Sequence, residues 1–85
     1  MTYKIEFAKQ AAKQFKVLPR QEQQRLKTKI DNLEIDPRPS GVVKLSGEQN
    51  LYRIRVGNYR IIYSIQDFQL LILILKIGHR KDVYR

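Results

Sequence analysis

The sequence predicts a small α+β domain, in which an N-terminal strand and a two-helix hairpin pack on one face of a mainly antiparallel curved sheet. Three observations carry that prediction. Residues 52–56 and 59–63 form two neighbouring strand-like runs separated only by Gly57-Asn58, a tight-hairpin signal. Upstream, apolar residues recur at three- and four-residue steps over two stretches, the spacing of helices with one buried face. Between these regions Asp36-Pro37-Arg38-Pro39-Ser40-Gly41 enforces a loop, because proline cannot continue a helix. The 85 residues make one domain, 1–85, with no repeat or low-complexity segment.

Taken in order, residues 3–7 alternate weakly and predict a short strand. From Ala8 the period changes: Ala8, Ala11, Ala12, Phe15 and Leu18 form the stripe of an amphipathic helix, punctuated by Pro19. A second helix is predicted over residues 20–34, with Leu26, Ile30 and Leu33 on one face and mostly Lys, Arg and Gln on the others. Residues 42–45 read as a short extended piece and residues 46–50 as a turn. After the hairpin comes a loop near Gln66-Asp67-Phe68. Residues 70–77 are apolar at both phases, which suits a central strand covered on both sides, although periodicity alone also allows a buried helix. The predicted order is β-α-α-β-β-β.

A two-residue loop fixes the hairpin's register. Val56 then faces Tyr59, Arg55 faces Arg60, Ile54 faces Ile61 and Arg53 faces Ile62. Directly paired side chains share a face of the sheet. Tyr52, Ile54, Val56, Tyr59, Ile61 and Tyr63 therefore make an apolar face, on which the helices bury their stripes. Arg53, Arg55 and Arg60 gather on the other, which is left open. Like charges placed opposite one another are destabilising, so the three guanidinium groups suggest an anion-binding wall, with phosphate the first candidate.

Composition narrows the partners. Seventeen Lys and Arg against eight Asp and Glu give a formal net charge of +9, which favours polyanions. Cysteine is absent and there is one histidine, which argues against thiolate or imidazole metal sites and implies no cofactor of that kind. The N-terminal residues lack a signal-peptide core, and the longest apolar run is far shorter than the ~20 residues of a membrane span. No membrane partner and a cytoplasmic location are the expectations.

The segment Gly78-His79-Arg80-Lys81-Asp82-Val83-Tyr84-Arg85 follows the predicted central strand and adds the only His, another Arg and a Tyr. With the arginine wall, these are parts an RNA-cleaving site would use. Guanidinium groups clamp phosphate and stabilise a phosphorane. Tyr stacks on a base or moves a proton, and His can accept the proton of a 2′-hydroxyl. Attack of a 2′-OH on its own neighbouring phosphate needs neither a metal nor an external nucleophile, only alignment, charge stabilisation and proton removal.

Three segments carry a family resemblance: Lys44-Leu45-Ser46-Gly47, then Leu51-Tyr52-Arg53-Ile54-Arg55-Val56-Gly57-Asn58-Tyr59-Arg60-Ile61-Ile62-Tyr63, then Ile77-Gly78-His79-Arg80-Lys81-Asp82-Val83-Tyr84. Together they resemble the RelE family of toxins, within the RelE/ParE superfamily, over nearly the whole chain. The resemblance implies a microbial-RNase-like fold and a metal-independent endoribonuclease that enters the ribosomal A site and cleaves mRNA. It further implies a RelB-like antitoxin that folds on binding, neutralises the toxin, and brings it to operator DNA only as part of the complex. Arg60 matches the family's active-site Arg, Arg80 the Arg after the last strand, and Tyr84 the C-terminal Tyr. Arg53 and Arg55 stand where RelE itself carries two lysines. They can bind phosphate but cannot hand over a proton in the ordinary way. Proton handling is therefore expected of His79 or Tyr84, and substrate binding of Arg53, Arg55 and Lys81.

Two other functions fit the same sequence. One is a ParE-like toxin that inhibits DNA gyrase without cutting RNA. The other is a basic RNA-binding module without cleavage, for which the arginines and the helix lysines would be a solvated, salt-sensitive contact surface.

Overall fold

The computed structural model describes residues 2–45, 47 and 50–79. The elements run β1 (Lys4–Phe7), α1 (Lys9–Lys16), α2 (Arg20–Asn32), β2 (Val43–Lys44), β3 (Leu51–Val56), β4 (Tyr59–Gln66), a single 3-10 turn (Asp67–Gln69) and β5 (Leu71–His79). The five strands form one sheet in the order β1-β5-β4-β3-β2. All neighbours are antiparallel except β1 and β5, which run parallel from Lys4↔Leu71 to Phe7↔Ile74.

The hairpin pairs as the two-residue loop dictates, with Val56↔Tyr59, Arg55↔Arg60, Ile54↔Ile61 and Arg53↔Ile62. Gly57 takes a φ of +60°, while Asn58 is not among the positive-φ residues. That combination is the type II′ pattern, in which only the first turn residue needs glycine's freedom.

Both helices bury the predicted stripe. Ala11, Leu26, Ile30 and Leu33 meet Tyr52, Ile54, Ile61, Tyr63 and the isoleucines of β4 and β5 in one core. Each fully buried Leu or Ile contributes roughly 1.5–3 kcal/mol relative to an exposed one. Where α1 stops, the Gln23 amide of α2 donates to the carbonyls of Phe15 and Lys16 at 3.0 and 3.2 Å. This satisfies two of the acceptors that a helix end leaves without partners.

The reading of β5 as covered on both sides is corrected. Ile72, Ile74 and Ile77 are buried against the helices, but Leu71, Leu73 and Leu75 are only half-buried. Strand alternation segregates isoleucine to the helix side and leucine to the far face. Among the described residues no second layer covers that far face.

At the sheet end remote from the Gly57 turn, polar contacts tie three loops together. The Tyr3 hydroxyl donates to Asp67 at 2.6 Å. Arg38 donates to Asp67 at 3.0 Å and to the Tyr52 hydroxyl at 3.2 Å. The buried Tyr63 hydroxyl donates to the Pro37 carbonyl at 2.8 Å. The Tyr3 hydroxyl, and after it Arg38, hold the Asp67 carboxyl below the usual carboxylate range. Burial pushes the Tyr63 phenol up. No helix among the described residues is long and apolar enough to cross a membrane.

Candidate nucleic-acid interface

The register decides which side chains meet. Residues paired across antiparallel strands share a face, so Arg53, Arg55 and Arg60 stand on the side of the sheet away from the helices. The arginine wall expected from the sequence is thus one surface. It is not uniformly open, however: Arg55 is exposed, Arg53 is half-buried and Arg60 retains 5% exposure. The physical reason is position. Arg60 lies on β4, flanked by β3 on one side and β5 on the other, whereas its direct partner Arg55 lies on β3 beyond the reach of β2, whose pairing extends only to Arg53. A buried guanidinium must keep its donors satisfied. One Arg60 Nη donates to the Tyr59 carbonyl at 3.4 Å, and no buried side-chain nitrogen or oxygen among the described residues lacks a partner. Arg60 is therefore held in place before any ligand arrives, whereas Arg55 is solvated.

His79 lies elsewhere. It pairs directly with Tyr59, and the two rings meet edge to face with centroids 5.7 Å apart. Tyr59 packs against the core on the helix side, so the His79 ring goes with it. The residue opposite Arg60 is Gly78. The structure thus does not bring His79 onto the arginine wall, contrary to the grouping expected from sequence, because alternation along β5 turns neighbours to opposite faces. Arg80, Lys81 and Tyr84 lie outside the described residues.

One further cation joins the wall and another stands behind the hairpin tip. Lys76 of β5 pairs with Ile62, which itself pairs with Arg53, so Lys76 shares the arginine face. Sequence reasoning missed it, because simple alternation from Ile72 and Ile74 carries residue 76 to the helix side. The signal was available: a lysine at a core phase followed by an isoleucine marks a slipped phase. On the other side of the hairpin, the Arg25 guanidinium of α2 packs on Gly57. A Cβ at that glycine would sit 3.1 to 3.3 Å from its Nη2, Nη1 and Cζ atoms. Arg25 also approaches Glu22 at 3.4 Å. Cationic side chains therefore flank both faces of the hairpin tip. Among the described residues no group of three or more His, Asp or Glu is arranged to hold a metal ion.

Comparison with known proteins agrees with this geometry. A family model described as the ParE toxin of the type II toxin–antitoxin system parDE matches residues 5–84. The chain is 33% identical to the toxin RelE3 of Methanocaldococcus jannaschii, over 95% of this chain and 94% of that protein. It is 27% identical to the mRNA interferase toxin RelE of Escherichia coli, over 99% of this chain and 92% of that one. Among solved structures, the RelE–RelB complex of Pyrococcus horikoshii superposes with a TM-score of 0.85 at 38% identity, covering 96% of this chain and 99% of the matched one. The isolated E. coli RelE toxin gives a TM-score of 0.82 at 27% identity, covering 96% and 90%. With the hairpin register, the two-helix layer and the arginine wall all in place, this chain belongs to the ParE/RelE family of type II toxins, as a toxin of the RelE type.

Proposed function

We propose that this chain is a ribosome-dependent endoribonuclease that cleaves mRNA in the ribosomal A site, and that a RelB-like antitoxin neutralises it. The observation that carries the proposal is the single wall formed by Arg53, Arg55 and Arg60, with Arg60 buried to 5% exposure. A fixed guanidinium needs no reorganisation when charge builds up on a phosphorane, which is where electrostatic catalysis gains most. The 2′-oxygen forms a bond to the adjacent phosphorus and the bond to the 5′-oxygen breaks. A 2′,3′-cyclic phosphate and a 5′-hydroxyl result. One proton leaves the 2′-OH and one reaches the departing 5′-oxygen. The nucleophile belongs to the substrate, so the step is assigned no metal or cofactor.

Arg60 and Arg80 stabilise the phosphorane in this reading. Arg53, Arg55 and Lys81 bind the backbone, and Tyr84 handles a proton. His79, facing the other side of the sheet beside Tyr59, is assigned a supporting role at the end of β5. The antitoxin assignment is supported by relatives solved as complexes with RelB from P. horikoshii and E. coli. The +9 charge suits an acidic segment that orders on contact. The toxin reaches operator DNA only through that complex. We place its action in the cytoplasm, where ribosomes and mRNA are found.

Primer extension on a defined mRNA, with and without ribosomes stalled at a known codon, tests this. Cuts confined to the A-site codon, dependent on ribosomes and lost in Arg60→Ala, are expected. Cuts on naked RNA alone would refute ribosome dependence. The family model is described for ParE toxins, which favours one second reading. No cuts, together with inhibited supercoiling by purified gyrase, would establish that reading instead.

A further inference from the structure

We propose that Lys76 is a phosphate-binding residue of the RNA interface, brought there by a β-bulge at Leu75 that Gln14 of α1 holds in place. This deepens the RNA-binding part of the reading above and rests on it. Ile62 pairs with Lys76, but the next residue of β4, Tyr63, pairs with Ile74, so Leu75 is an extra residue without a partner. Before the bulge, Ile72 and Ile74 point to the helices. Unbroken alternation would then send Lys76 and Gly78 into the core and Ile77 and His79 away from it. The bulge reverses the phase. Ile77 is buried to 2% exposure, and Lys76 joins the face of Arg53, Arg55 and Arg60. A one-residue slip exchanges the faces of every residue beyond it, and a bulge is a recurrent means of re-aiming side chains near functional sites.

Something must hold the slipped segment. β1 ends at Phe7, and its last link to β5 runs from the Ala8 N–H to the Ile74 carbonyl. Beyond that point, among the described residues, the outer edge of β5 has no strand beside it. The Ile77 N–H instead donates to Gln14 Oε1 at 2.7 Å, a bond spanning 63 residues of sequence. A helix side chain thus takes the place of a strand two residues after the bulge. Lys76, Ile62 and Arg53 lie in one row across three strands, and neighbouring strands are about 4.8 Å apart. Cations border both sides of Ile62, and Arg60 stands diagonally from Lys76. An RNA backbone lying over Ile62 meets a cation on either side.

The test uses the whole chain and a labelled single-stranded RNA oligonucleotide, with affinity measured across a range of salt concentrations. Lys76→Gln should weaken binding several-fold and reduce the slope of log K against log salt by about 0.7, the value for one phosphate contact on a single strand. Lys76→Arg should restore both. An unchanged slope in Lys76→Gln overturns the proposal. Gln14→Met keeps the bulk but removes the acceptor. It should lower the slope similarly and add nothing in the Lys76→Gln background. A further, additive loss would show that Gln14 does not act through Lys76. Binding is read without ribosomes. A protein with a Lys76-dependent slope that cuts nothing would therefore refute the nuclease reading while leaving this one standing.

Discussion

Replacing Gly57 with alanine separates two constraints that the structure puts on one residue. The first is conformational. At φ +60° an L-residue brings its Cβ close to the following carbonyl, which costs roughly 1–2 kcal/mol. The second is contact with Arg25, whose guanidinium atoms lie 3.1 to 3.3 Å from where that Cβ would stand. Those atoms end a long side chain that is 55% exposed, so a shift of a few tenths of an ångström is cheap. The conformational effect should dominate. At about 4–8 °C per kcal/mol for a domain of this size, Gly57→Ala should unfold roughly 5–15 °C below the parent. Thermal or urea unfolding of Gly57→Ala, Arg25→Ala and the double variant resolves the two. The coupling between the sites should stay under about 0.5 kcal/mol, the range for near-independent substitutions. A Gly57→Ala protein as stable as the parent would refute the claim that positive φ sets this turn. A coupling above about 1 kcal/mol would show that Arg25 does not yield.

Other perturbations follow from the loop contacts. Tyr63→Phe removes the donor to the Pro37 carbonyl and should cost about 1–2 kcal/mol by urea unfolding, most of it from the acceptor left behind. Because burial raises the Tyr63 pKa, that residue's share of stability is complete below the unfolded tyrosine value and falls as pH rises above it. Tyr63→Phe should therefore also flatten the alkaline decline in melting temperature. Asp67 has the opposite sign. Its folded pKa is depressed by Tyr3 and Arg38, so its contribution is present above the unfolded carboxylate value and is lost as pH falls through the folded one. Asp67→Asn should lower stability at neutral pH and make the acid limb of the melting profile shallower. An unchanged acid limb would show that Asp67 is not part of it.

The parts of this fold that could be read from sequence are those set by local rules. A two-residue loop admits one register, so the pairing from Arg53 to Ile62 and the arginine face are legible in the sequence itself. The helices were legible because Leu26, Ile30 and Leu33 repeat at helical spacing between two prolines. What escaped depended on contacts between distant segments. The parallel pairing of β1 with β5 leaves no trace in either strand. The phase of β5 beyond Leu75 depends on Gln14, 63 residues away, so His79 was grouped with the arginines and Lys76 was left out. The burial of Arg60 was hidden too, because whether a strand residue is covered depends on its neighbours on both sides.

The parallel pairing of β1 with β5 also has a consequence in time. β5 is the last of the described elements along the chain, yet it lies inside the sheet, between β1 and β4. During synthesis, β1, both helices and the hairpin emerge before the strand that joins them exists. Until then Ile72, Ile74 and Ile77 are missing from the core, and the loop between Lys4 and Leu71 must close late and over nearly the full length. A nascent chain whose β5 has not yet emerged therefore lacks a finished sheet. A partner that recognises the folded surface meets it only once β5 has emerged and joined β1 to β4.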